Sequence, residues 1–183
     1  LRGINIDKDD IWIAASDELF CYDKEFAVQT SWRNRYLNHC HEICRIDRIL
    51  FLTSTGHDAL LAFDLDKKLF VWGFHVQKQL GQWSGFAFDP QTKNGPRAFN
   101  DLHINMVHVD STGIYLSGLK TEAMLHIDDQ NKVTEVCSLP AGTHNARPFN
   151  GGIIFNDTAS DFLRIVPREG AGQAFRIRGY DPA

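Results

Sequence analysis

The sequence has no run of basic residues longer than a pair, and its net charge is −4 at pH 7. Without a Lys/Arg patch it has no electrostatic footprint for nucleic acid, and none for an anionic membrane surface. Its apolar runs are no longer than a strand, far short of a membrane-spanning helix. Cysteine is scarce, limited to Cys21, Cys40, Cys44 and Cys137. So few thiols can serve as small core hydrophobes, and they are read as reduced, in a cytoplasmic protein. No charged-then-apolar leader is visible, and no segment carries a helical stripe over three turns. No G-x-S-x-G, phosphate-binding glycine loop or dinucleotide fingerprint occurs. What is present is ordinary for a globular chain with a sizeable core: 183 residues, 43% of them hydrophobic.

Internal repetition organises the chain. Three stretches read alike: Ile6-Asp7 to Tyr22-Asp23, Ile46-Asp47 to Phe63-Asp64, and Val109-Asp110 to Ile127-Asp128. Each opens on an aliphatic residue and Asp, then has a turn, an apolar run, a polar break and a second apolar run ending in Asp. A fourth, weaker copy has Ile153-Ile154-Phe155, a break from Asn156 to Asp161, and Phe162 to Val166. The closing positions Asp23, Asp64, Asp128 and Val166 are 41, 64 and 38 residues apart, a period near 40 with one insertion. The insertion falls in 75–100, whose Gly81, Gly85, Pro90, Gly95 and Pro96 predict a long surface loop.

Four short strands per unit, separated by turn residues, are the signature of a β-propeller blade. The fold class expected is all-β, a propeller of about four four-stranded blades (1–32, 39–74, 101–138 and 143–179), with a β-sandwich as the alternative. Four blades can close as a small ring, pair with another chain, or form part of a larger propeller, and the lack of an initial Met favours the last. An unclosed arc would expose apolar sheet faces, so self-association is an expected partner mode.

Histidine placement is the most informative local feature. His41, His103 and His144 each precede a copy's first apolar run by about ten residues, and two lie in Asn-x-x-His: Asn38 to His41 and Asn100 to His103. In a propeller this position leads into the innermost strand, so the three imidazoles would ring one mouth of the channel. There they could bind a divalent metal (Zn, Fe or Mn), with Glu42, Asn105, Asn145 and Asp157 completing or orienting the site and Arg147 holding an anionic group. Equally, such histidines could fix the register between blades, since repeated positions usually serve packing.

Within His39-Cys40-His41-Glu42-Ile43-Cys44, strand alternation puts Cys40 and Cys44 on one face and His39 and His41 on the other, so this segment alone cannot converge four zinc ligands. Ser54, His57 and Asp58 are close in sequence, but triad members usually come from separate segments and the stretch reads as a hairpin. Trp72, Trp83 and Phe86 are candidates for a lid.

The units Ile49 to Ser54 with Leu60 to Asp64, and Ile114 to Gly118 with Leu125 to Asp128, resemble blades of bacterial propellers of the NHL-repeat and gluconolactonase-like groups. The resemblance implies the repeat and the fold. Gluconolactonase-like enzymes hold a divalent metal through Glu, Asn and Asp, whereas this chain places His at the equivalent lead-ins, so those ligands do not carry over. Other propeller lyases and oxygenases use channel histidines, which the pattern here resembles. Two functions follow: a binding module taking a small polar ligand or a protein partner at the channel mouth, or a metal-dependent hydrolase- or lyase-type enzyme with a His-lined centre.

Overall fold

The computed structural model describes residues 3–179. Its regular structure is β throughout, apart from one 3-10 turn at Thr55–His57. Sheet 1 holds β1 (Gly3–Asp7), β2 (Asp10–Ala15), β3 (Glu18–Tyr22) and β4 (Val28–Arg33). Sheet 2 holds β5 (Ile43–Ile46), β6 (Ile49–Ser54), β7 (Ala59–Asp64), β8 (Leu69–Gln79) and β9 (Gln82–Phe88). Sheet 3 holds β10 (Ile104–Asp110), β11 (Gly113–Gly118), β12 (Ala123–Ile127) and β13 (Val133–Ser138). Sheet 4 holds β14 (Thr143–Phe149), β15 (Gly152–Asp157), β16 (Phe162–Val166) and β17 (Gln173–Arg176). Strands are paired in sequence order within every sheet. Contacts between first strands run from β1 to β5, β5 to β10 and β10 to β14. The sheets therefore stack in sequence order along an arc, as propeller blades do, and not as two layers of a sandwich.

The repeated aspartates explain the hairpins. Asp23 Oδ1 accepts the N–H groups of Glu25 and Ala27 at 3.0 and 2.8 Å. Asp64 Oδ1 accepts those of Asp66 and Lys67 at 3.0 and 3.1 Å. Asp128 Oδ1 accepts those of Gln130 and Lys132 at 3.0 and 2.8 Å. The closing Asp of each full copy thus satisfies the amides of the turn leading from the third strand to the fourth, the usual role of Asp in such turns.

Three apolar clusters fill the three gaps between consecutive sheets. Trp12, Leu19, Leu52, Leu61 and Phe63 lie between sheets 1 and 2; Leu60, Phe74, Ile104 and Leu116 between sheets 2 and 3; Met124, Ala146, Ile153 and Phe155 between sheets 3 and 4. β7, sequence ALLAFD, is buried along its whole length because it is packed on both faces. In the first gap Trp12 stacks on Trp32 with centroids 5.6 Å apart, and both meet Phe63.

The segment 75–100 corrects the expectation of a loop. β8 continues to Gln79, turns through Leu80 and Gly81, both at positive φ, and returns as β9. Gly81 marks a two-residue hairpin turn, not a loop. Gly85 lies in a strand because a Cβ there would run into the Phe74 ring and the His75 carbonyl. Sheet 2 accordingly has five strands and extends to Phe88, beyond the limit at 74 read from the repeat. Residues 89–103 carry no strand.

Candidate functional site

Because the strands alternate in direction, the lead-ins to β5, β10 and β14 share one end of the arc with the β6–β7, β11–β12 and β15–β16 turns. The β6–β7 turn anchors this end. Gly56 N–H donates to Asn38 O at 3.0 Å, and Phe99 N–H donates to Gly56 O at 2.9 Å, so the turn sits between two inter-sheet linkers. Thr55 Oγ1 donates to Ile104 O at 2.5 Å. Buried Asp58, in the left-handed region at φ 44°, accepts the N–H groups of Asp101, Leu102 and His103 at 2.7, 3.0 and 3.0 Å. Burial pushes its carboxyl upward, and the three amides pull the other way.

Ser54, His57 and Asp58 are occupied structurally. The Ser54 hydroxyl donates to the Tyr36 carbonyl and also accepts the Asn38 N–H at 3.1 Å. His57 Nδ1 is 3.4 Å from that hydroxyl. Burial and the neighbouring His75 both depress the basicity of His57. With Asp58 committed to backbone amides, the three form a staple between linkers and not a charge-relay geometry.

The histidine lead-ins are fixed by their backbones. Thr53 Oγ1, fully buried, accepts the N–H groups of His41 and Glu42 at 2.9 and 3.0 Å. His103 has φ 54° and is held by Asp58, while its Nδ1 lies 3.2 Å from Asn100 Oδ1. The Asn-x-x-His spacing of that copy is thus a local side-chain pair. The His41 and His103 rings meet edge to face with centroids 5.0 Å apart. His144 Nδ1 is 3.2 Å from the side-chain nitrogen of Asn105.

Asn105 and Asn145 fall where the ladders β10–β11 and β14–β15 shift register. Such irregularities re-aim side chains at the rim of a sheet. Asn105 is 1% exposed and its Oδ1 has no hydrogen-bond partner. Glu42 Oε1 accepts the Ile43 N–H at 3.2 Å. Burial raises the Glu42 carboxyl above its usual range, and the positive charge of Arg147 opposes this. Polar groups from the lead-ins of sheets 2, 3 and 4 are therefore brought together.

The predicted residues do not all join that cluster in the same way. Asn145 and exposed Arg147 line a pocket of about 270 Å³ with Phe149, Ile154 and Asn156. Asp157 is buried and accepts Arg164 Nε at 2.7 Å. Among the described residues no group of three or more His, Cys, Asp or Glu side chains is placed to hold a metal ion. The His41 and His103 rings are in contact, and His144 lies beside Asn105.

Cys40 and Cys44 do not share a face. His39, at φ 53°, interrupts the alternation; Cys40 lies between sheets 1 and 2, and Cys44 packs toward sheet 3. Burial raises the Cys40 thiol to about 12. Trp72 stacks on Phe74 inside sheet 2, whereas Trp83 Nε1 donates to Glu135 on β13 at 3.2 Å. Neither lies over the histidines as a lid. Thr53 and Asp58 are the positioning residues that the repeat did not reveal. A groove of about 680 Å³ lies at the opposite end, lined by Phe51, Trp72, Asp110 and Asp128.

No protein-family model and no curated protein matches the chain. Among solved structures it is similar to virginiamycin B lyase from Staphylococcus aureus, at 11% identity and a TM-score of 0.58, over 97% of this chain and 70% of that one. It is similar to the Neurospora crassa Pan2 WD40 domain at 10% identity and 0.53, over 98% and 66%. BamB from Moraxella catarrhalis matches at 11% identity and 0.51, over 85% and 55%. Identities this low show the fold alone. With four successive antiparallel sheets already described, they establish the architecture as a β-propeller module of four blades.

Proposed function

We propose that the chain is a binding module that takes a small polar ligand, or a polar segment of a protein partner, at the end where β5, β10 and β14 begin. The observation that carries this reading is the meeting of side chains from three sheets there: His41 on His103, Asn105 on His144, and Glu42 within the influence of Arg147. Imidazoles, an amide, a carboxyl and a guanidinium supply donors and acceptors of both charge signs. They sit on strand lead-ins fixed by Thr53 and Asp58, and such preorganisation lowers the cost of binding.

The test is a titration of the histidine ring resonances with small hydroxy acids, amino acids and sugars, in the wild type and in Asn105→Ala and Arg147→Ala variants. The reading expects one of these classes to shift the His41, His103 and His144 signals, and expects either variant to weaken the effect at least tenfold. Absence of any shift at millimolar concentrations of every class would contradict it.

A second reading, the metal-assisted hydrolase or lyase, is favoured by the closeness of His41 and His103. It requires His144 to join that pair as a third ligand. Stoichiometric zinc, iron or manganese in purified protein, lost in His103→Ala, would favour it over the binding module.

A further inference from the structure

The two end sheets of the arc each keep one face that no other described sheet covers, and both faces carry a cluster of apolar side chains, beside Glu18 and Arg33 on sheet 1 and Arg147 on sheet 4. On sheet 1, register places Ile4 beside Ile13, Ile6 beside Ile11, and these beside Phe20 and Tyr22. All six share the face turned away from Trp12 and sheet 2. Ile4 is 55% exposed and Ile6 68%. On sheet 4, Ile154 pairs with Ile165, and Leu163 with Phe175, on the face turned away from Phe155 and sheet 3. Phe175 is 50% exposed and Phe149, at the start of the same face, 39%. Had the four sheets closed on themselves, these two faces would bury one another.

The two end sheets also differ in net charge. Residues 3–33 carry seven acidic side chains against three basic ones, whereas residues 143–179 carry five arginines against three acidic residues. Like ends would repel, and unlike ends attract. The free face of sheet 4 points onward along the arc and that of sheet 1 points backward, so a sheet 4 can meet another copy's sheet 1 in the relation that already joins each sheet to the next. Two arcs of four make eight, which is within the size range of closed propellers.

We propose that two copies of this chain join head to tail, the free face of sheet 4 in each against the free face of sheet 1 in the other, as a closed ring of eight sheets. The contact is heterologous, repeated twice by a two-fold axis, and leaves no end face exposed. Association places two copies of the histidine cluster around one axis and covers the pocket that Arg147 shares with Phe149 and Ile154, but the contact requires no ligand in that cluster.

Light scattering on the eluting wild-type chain, at micromolar concentration, tests this. The expected mass is twice the 20.8 kDa of the chain. Ile6→Glu and Phe175→Glu each alter an exposed side chain and are expected to halve the measured mass without changing the β-sheet circular dichroism. Mixing the two variants leaves one sheet 4–sheet 1 contact intact, so a fraction of double mass is expected to return. A monomeric wild type would overturn the proposal and assign the faces to further sheets of a longer polypeptide. A dimer sensitive to only one variant would overturn it in favour of a like-to-like contact, and an open polymer would overturn ring closure.

Discussion

Asp58 carries more of the candidate site than any of its histidines. Its carboxylate is the acceptor for three consecutive amides that set the course of the chain into β10 and so aim His103. Removing it leaves those donors without their partner in a mostly buried place, so Asp58→Ala is expected to cost about 3 kcal/mol. Asn, which tolerates the left-handed backbone and keeps one oxygen, is expected to cost less. Urea unfolding of both variants checks this order; equal and negligible losses would contradict it. Glu42 behaves oppositely, because burial raises its carboxyl. Between the ordinary and the raised value the folded chain holds more protons than the unfolded one, so stability falls as pH rises through that window and stays lower above it. Glu42→Gln is therefore expected to melt at a higher temperature than wild type at pH 7, with the advantage gone below the ordinary glutamate range. A lower melting temperature at pH 7 would mean that attraction to Arg147 outweighs the burial cost. The closing aspartates were legible as residues because their chemistry is local, acting within four positions. The role of Asp58 was not, since its partners lie more than forty residues away.

At the scale of the element, β9 shows where composition misleads. Gly81, Gly85 and the two prolines that follow suggest a loop, yet Phe88 fills the space over Gly73, where a Cβ would strike its ring, and meets Tyr36 edge to face at 4.9 Å. β9 is a packed strand because Phe88 reaches the gap between sheets 1 and 2 and Trp83 packs on the cluster between sheets 2 and 3, a tertiary reason that no window of sequence contains. Phe88→Ala is expected to cost about 3 kcal/mol and to speed amide exchange along β8 and β9. A surface loop would lose about 0.5 kcal/mol or less, so a loss that small would remove β9 from the core. The strands of the three full copies, by contrast, were legible because alternation, turn residues and period agreed with one another.

At the scale of the molecule, a period near 40 residues was enough to foresee an all-β stack of sheets and to group three histidines otherwise distant in sequence. It could not foresee how those rings would be shared out, because that depends on positive-φ residues and register shifts at His103, Asn105 and Asn145. The central claim is that the first strands of successive sheets converge at one end. The direct measurement is the magnetisation transfer between the imidazole protons of His41 and His103, assigned with single His→Gln variants. Ring centroids 5.0 Å apart predict a clear cross-peak between residues 62 positions apart. Well-resolved signals from both rings with no cross-peak between them would contradict the arrangement.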